Sequence, residues 1–176
     1  MENTSTTRKN SVLQDFFTTC LQELYWSETH LINMLDTMSK AATNPQLQEA
    51  FLLHKEETIS HKERLEQVFS TIGIEPQAEL CMGLQGLIDE GWQVIDETEQ
   101  GTSQRDVALI IAAQKVEHYE IATYGSLITL AKTMGRKDVA ALLIPTLQEE
   151  KATDVTLTNI AENGINEEAT QEKINA

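Results

Sequence analysis

The feature that most constrains this fold is a set of carboxylates that interrupt otherwise apolar helical stripes. Glu28 stands between Leu24 and Leu31 at spacings of four and three residues, and Glu57 and Glu150 interrupt two further stripes. Burying a charged side chain costs several kcal/mol unless a partner neutralises it. A core that receives acids from several helices therefore predicts a neutralising group at its centre, and bound metal cations are the favoured explanation.

Apolar residues spaced three or four apart predict four long helices. They span about 11–40, 45–73, 103–135 and 138–162. Asn44 before Pro45 is typical of a helix start, and Gly73 is typical of a helix end. At the start of the third helix, Ser103 and Asp106 have the spacing of a capping box.

The connections between these helices predict the topology. The first and third loops have about three residues each, which makes the flanking helices antiparallel neighbours, whereas 74–102 is long and holds its own amphipathic segment. Two helical hairpins joined by a long crossover are typical of a ferritin-like four-helix bundle. We therefore predict an all-α protein with a flexible tail at 1–10, a ferritin-like metal-binding domain at 11–164 and a flexible tail at 165–176.

Composition narrows the functional classes. The 28 acids outnumber the 13 bases and give a net charge of −15, which argues against nucleic acid and against anionic membranes as partners. No apolar run approaches the roughly 20 residues of a membrane span, and residues 1–10 lack the apolar run of a signal peptide. Cys20 and Cys81 follow no metal or redox spacing and fit buried thiols in a reducing compartment. A cytoplasmic location is predicted.

Projection of each stripe on a helical wheel gives the candidate ligands. The predicted metal ligands are Glu28, His54, Glu57, His61, Glu117, Glu120, Glu150 and Asp154. Glu23 lies about 140° from Glu28 around the helix axis and is the alternative ligand on the first helix. His54 is either a ligand or a donor that orients one. One acid on each helix lies about 14 to 16 residues from its hairpin loop, which predicts a common level near the middle of the bundle.

This donor set points to particular metals. Carboxylates with imidazole suit iron and manganese, and a bridging carboxylate holds two ions close together. We predict two divalent ions per chain, with iron favoured and manganese as the alternative. A core without metal would bury these acids with no basic partner beside them, and their pKa values would be strongly raised.

Five strings of residues resemble the YciF-type stress-associated ferritin-like proteins of bacteria. They are YWSE at 25–28, HKEET at 54–58, GLIDE at 86–90, QKVEHYEI at 114–121 and LQEEKATD at 147–154. The resemblance covers about residues 12–165 and implies a ferritin-like bundle, a dinuclear metal centre and a link to stress responses. Glu117 and Glu120 also resemble the paired acids on the third helix of rubrerythrins, which reduce peroxide.

These features lead to one functional hypothesis and two alternatives. The first is stress protection through reaction of the reduced metals with peroxide or dioxygen, with electrons from an external reductant. The second is a non-catalytic metal-binding, storage or structural-metal protein that acts through partner or self-association. The third is a metal-free helical scaffold. Apolar residues on the crossover, such as Trp92, are compatible with a homodimer.

Overall fold

The computed structural model describes residues 11–173, which are helical and contain no strand. The helices are α1 (Val12–Ala41), α2 (Pro45–Ile72), α3 (Met82–Glu97), α4 (Ser103–Thr133), α5 (Lys137–Ile160) and α6 (Asn166–Gln171). The predicted N-terminal tail at 1–10 lies outside this range. Within it, none of the helices combines the length and the hydropathy that a membrane span needs.

Local sequence signals set the ends of the two hairpins as predicted. The Asn44 side chain accepts from the backbone N–H groups of Gln46 (2.9 Å) and Leu47 (3.3 Å), so it caps α2. Gly73 ends α2 and Gly135 follows α4, both with φ of 77°, a left-handed conformation that glycine adopts at little cost. The short turns at 42–44 and 134–136 make α1 antiparallel to α2 and α4 antiparallel to α5, whereas Gly73 begins the long crossover.

Asp106 has a different role from the predicted capping box. Thr102, one residue earlier than expected, caps α4 by accepting from the N–H of Arg105 at 3.2 Å. The buried carboxylate of Asp106 instead accepts from the N–H groups of Thr43 and Asn44, each at 2.7 Å. Asp106 therefore fixes the start of α4 to the loop between α1 and α2.

Helix α6 lies within the stretch 165–176 that the sequence analysis predicted to be a flexible tail. The backbone breaks at Gly164 (φ of 147°), as the sequence predicted, but the chain then continues as α6. Ile165 is buried, and the carboxylate of Glu172 accepts from the N–H groups of Ser103 (2.6 Å) and Gln104 (2.9 Å) at the start of α4. An anion at a helix N-terminus is favourable, so these contacts hold the segment in place.

The apolar core is divided into two clusters. The first apolar cluster surrounds the α1–α2 loop and includes Leu35 and Leu47, and the second surrounds the α4–α5 loop and includes Leu127 and Val139. Between them lies a set of buried polar side chains, which we call the polar layer: Glu28, His54, His61, Glu117, Glu120 and Glu150. The acids thus lie at mid-height, the level that the distances from the loops predicted.

Candidate metal centre

The polar layer is the most deeply buried set of ionisable groups in the described chain. All six residues are at most 3% exposed, and they come from α1, α2, α4 and α5. Ionisable side chains are rarely buried without partners, because transfer of charge out of water is unfavourable. The layer is therefore the first place to look for function.

Five residues of the polar layer form two groups of three, and both groups include the carboxylate of Glu150. In the first group, Nδ1 of His61 lies 2.9 Å from Oε1 of Glu150 and 3.5 Å from Oε2 of Glu28. In the second, Nε2 of His54 lies 3.2 Å from Oε1 of Glu117 and 3.5 Å from Oε2 of Glu150. Within each group, one nitrogen or oxygen atom per residue lies within 4.8 Å of the others. Glu150 faces one group with each oxygen, which is the arrangement of a carboxylate that bridges two ions.

Each histidine is held from its far side. Nε2 of His61 lies 3.0 Å from Oε2 of Glu149, which also pairs with Arg64. Nδ1 of His54 lies 3.2 Å from Oε2 of Glu57 and 3.1 Å from Oγ1 of Thr153. A carboxylate on one ring nitrogen fixes the orientation of the imidazole and leaves the other nitrogen to bind. Both rings therefore direct their remaining nitrogen into the layer.

Several polar atoms of the layer lack a partner. Within residues 11–173, seven buried side-chain atoms have no partner in hydrogen-bonding geometry, and all belong to the layer: Glu28 Oε2, His61 Nδ1, Glu117 Oε2, both oxygens of Glu120 and both oxygens of Glu150. The second oxygen of Glu28 accepts a hydrogen bond from the hydroxyl of Tyr124. Buried polar atoms are nearly always satisfied, so seven exceptions at one point indicate a missing partner.

The pKa values reflect the same crowding. Burial and the neighbouring carboxylates raise the pKa of Glu120 well above its usual range, and burial raises that of Glu150 to about 8. Burial alone would lower the pKa of His61, but the Glu28 and Glu150 carboxylates outweigh it and raise the pKa to about 10. Carboxylates likewise raise the pKa of His54. The sequence analysis expected these acids to have no basic partner in a metal-free core. In the metal-free protein the two imidazolium groups are such partners.

Three of the eight predicted ligands, Glu57, Glu120 and Asp154, belong to neither group, and of these only Glu120 lies in the polar layer. The side chain of Glu57 is 32% exposed and contacts His54 from outside the layer. Asp154, with its side chain 22% exposed, accepts from Nε2 of Gln114 at 3.0 Å and lies 3.3 Å from Nε2 of His118. On α1 it is Glu28, and not Glu23, that enters the layer.

Glu149 is the functional candidate that the sequence analysis missed. It precedes Glu150 and therefore points about 100° away from it around α5, off the apolar stripe. The only sequence signal for it is the repeated pair of adjacent glutamates at 56–57 and 149–150. In each pair, one carboxylate contacts a histidine of the layer from outside.

The donors present fit a metal pair. Carboxylate oxygens and imidazole nitrogens suit iron and manganese, and the unpartnered atoms face one another across the layer. Rigid helices hold every one of these side chains, as in bundles that bind metals between their helices.

Fold and site together define a ferritin-like helical bundle with a carboxylate–histidine layer. The chain belongs to the family described as a domain of unknown function, DUF892, whose model matches residues 12–170. The protein YciF of Escherichia coli is 44% identical over 158 residues, which are 89% of this chain and 95% of that protein. The resemblance to the YciF-type family is thus confirmed.

Solved structures agree with this assignment. The crystal structure of the E. coli stress protein YciF superposes with a TM-score of 0.84 at 43% identity, covering 89% of this chain and 99% of that one. The protein YcfI of Rhodopseudomonas palustris gives 0.82 at 36% identity, covering 86% and 96%. A protein of Xanthomonas campestris, at 19% identity and a TM-score of 0.67 over 92% and 98%, shares the fold.

Proposed function

We propose that this chain is a metalloprotein whose polar layer holds two iron or manganese ions, and that it protects a bacterial cell from peroxide or dioxygen. The observation that supports the proposal most directly is the position of Glu150, whose two oxygens face two separate groups of donors. The description of the E. coli relative as a stress protein is consistent with this role.

In this proposal the residues of the layer have distinct roles. Glu28 and His61 would hold one ion, His54 and Glu117 would hold the other, and Glu150 would offer one oxygen to each. Glu120, which is buried beside both groups, is the further ligand. Glu57 and Glu149 orient the two imidazoles, and the hydroxyl of Tyr124 fixes Glu28.

The proposed reaction with peroxide depends on the oxidation state of the two metal ions. Two ions in the +2 state, when bound, supply two electrons, which together with two protons convert hydrogen peroxide to two water molecules. The surrounding apolar clusters limit the access of water to the layer. An external one-electron donor restores the reduced state between turnovers.

One observation favours a structural or storage role as the second candidate. The two groups draw donors from α1, α2, α4 and α5, so bound ions would cross-link all four long helices of the bundle. In that case the metal would raise the stability of the fold without turnover. Thermal unfolding and peroxide consumption, measured on the same preparations, separate the two candidates.

The first experiment is elemental analysis of protein prepared without chelator or affinity tag, before and after anaerobic reconstitution with iron(II) or manganese(II). We expect about two ions per chain, because the donors form two groups. Glu150→Gln is expected to lower the metal content of both sites, whereas Glu63→Gln, at an exposed position on α2, leaves it unchanged. A metal content near zero after reconstitution would refute the proposal.

The reaction is tested separately. Reduced, metal-loaded protein is expected to consume peroxide faster than the same concentration of free metal. If it is not faster, while metal still raises the melting temperature, the redox role is wrong and the structural one is supported.

A further inference from the structure

A narrow apolar cavity leads to one side of the polar layer. The space open to the centre of a water-sized molecule measures about 20 Å³, and the cavity lies between α1, α3 and α4. Ten of its twelve lining residues are apolar, and the other two are His54 and Glu117. The cavity therefore meets the second group of donors, whereas no residue that belongs to the first group alone lines it.

Small residues create this space. Gly91 on α3 and the adjacent Ala112 and Ala113 on α4 are lining residues whose side chains end at or before Cβ. A Cβ added to Gly91 would lie 2.5 Å from Cε of Met34, so the glycine allows the crossover helix to close over the methionine. Larger residues at these positions would fill the cavity.

Apolar walls select what can enter. A narrow apolar cavity is dry and binds small apolar molecules such as xenon. Hydrogen peroxide would lose its hydrogen bonds with water on entering, and the wall offers no replacement before His54 and Glu117. Dioxygen forms no strong hydrogen bonds with water and loses little on entry.

We infer that this cavity is a dioxygen-binding site and that dioxygen reaches the metal pair through it on the side of His54 and Glu117. The inference rests on the proposed function, since the metals supply the electrons. With two ions in the +2 state bound, dioxygen would take one electron from each ion and one proton from each of two water molecules. The products would be hydrogen peroxide, two hydroxide ions and two ions in the +3 state. The crossover helix α3 is in this view the wall of the substrate site.

Xenon provides a test that needs no metal. Metal-free protein is titrated with xenon and followed by NMR, and a crystal under xenon pressure locates the atom. Xenon is expected between α1, α3 and α4, with binding weakened at least about tenfold by Ala112→Val or Ala113→Val. Ala122→Val, at an exposed position on the same helix α4, is the matched control and leaves binding unchanged.

A second variant guards against misfolding by overpacking. Met34→Ala enlarges the cavity and is expected to strengthen xenon binding, so the two kinds of variant shift affinity in opposite directions. Wild-type protein that binds no xenon at this position would overturn the inference.

Kinetics with iron(II)-loaded protein then assign the substrate. Ala112→Val is expected to slow the oxidation of bound iron by dioxygen about tenfold, while the rate with hydrogen peroxide stays within about twofold. Equal rates for wild type and variant with dioxygen, or equal slowing with both oxidants, would overturn the dioxygen assignment but leave the metal site intact. Failure to bind both iron and manganese would instead refute the proposed function, and the xenon result distinguishes that case.

Discussion

Glu120 offers the sharpest test of the polar layer, because the metal-free protein gains no visible stabilisation from it. Its side chain is 1% exposed, and neither oxygen has a hydrogen-bond partner among the described residues. An unsatisfied buried polar group costs about 1–3 kcal/mol, and replacing buried ionisable groups with apolar ones of similar size often stabilises a fold. We therefore expect Glu120→Met to raise the unfolding free energy of metal-free protein by about 1–3 kcal/mol.

The magnitude is measurable. For a domain of this size, each kcal/mol corresponds to roughly 2–4 °C in melting temperature, so the expected rise is about 2–12 °C. Chelator-treated wild type, Glu120→Met and the exposed control Glu63→Met are compared by urea denaturation and calorimetry. With iron(II) present the order is expected to change, because a lost ligand reduces the stabilisation that metal binding confers.

One result would refute this reasoning. If Glu120→Met destabilises the metal-free protein by more than about 1 kcal/mol, Glu120 makes a favourable interaction there that its unpartnered oxygens do not reveal. The control variant shows whether any change comes from the loss of surface charge alone.

The remaining predictions concern other parts of the site and the fold. In metal-free protein the pKa of His61 is raised to about 10, so its protonated ring contributes stability that is complete below pH 6.5 and is lost as the pH rises towards 10. Urea midpoints should therefore fall over that range. A flat or rising profile would contradict this prediction. Glu149→Gln and Glu57→Gln should each weaken metal binding about 10- to 100-fold in competition titrations, with the far-UV spectrum unchanged, because each carboxylate orients a histidine. Asp106→Asn should lower the unfolding free energy by about 1–3 kcal/mol in urea, since one of two backbone N–H groups loses its acceptor; an unchanged midpoint would show that the loop does not depend on Asp106.

Helical periodicity and loop lengths were sufficient to predict most of the fold. Apolar residues such as Leu24 and Leu31 recur at helical spacing, which predicts the helices. The short turns before Pro45 and after Gly135 make the flanking helices antiparallel, which predicts the two hairpins. Helix α6 was not predicted because five of its six residues are polar and show no apolar stripe, and its position depends on contacts with the start of α4. Asp106 was misassigned because its partners lie more than 60 positions away in the chain.

The site was predictable where side chains follow the stripe. Glu28, Glu117 and Glu150 lie in line with apolar neighbours, so their burial follows from the period of the helix. Glu57 lies near the edge of its stripe, and a helical wheel does not distinguish a side chain that enters the layer from one that supports His54 from outside. That distinction depends on packing between α2 and α5, which a single helix does not encode.

The division of the core into two apolar clusters has a consequence for cooperativity. Each cluster is closed by its own helical turn, and in the polar layer between them seven side-chain atoms of the described residues lack a hydrogen-bond partner. Without metal, the two ends of the bundle are joined by the continuous helices and by the histidine–carboxylate pairs of the layer. We therefore expect them to open partly as separate units, with distinct protection of backbone amides from exchange with solvent. Ions bound at the layer would merge them into a single unit that opens only as a whole. The metal would then determine the number of cooperative units in which the protein unfolds.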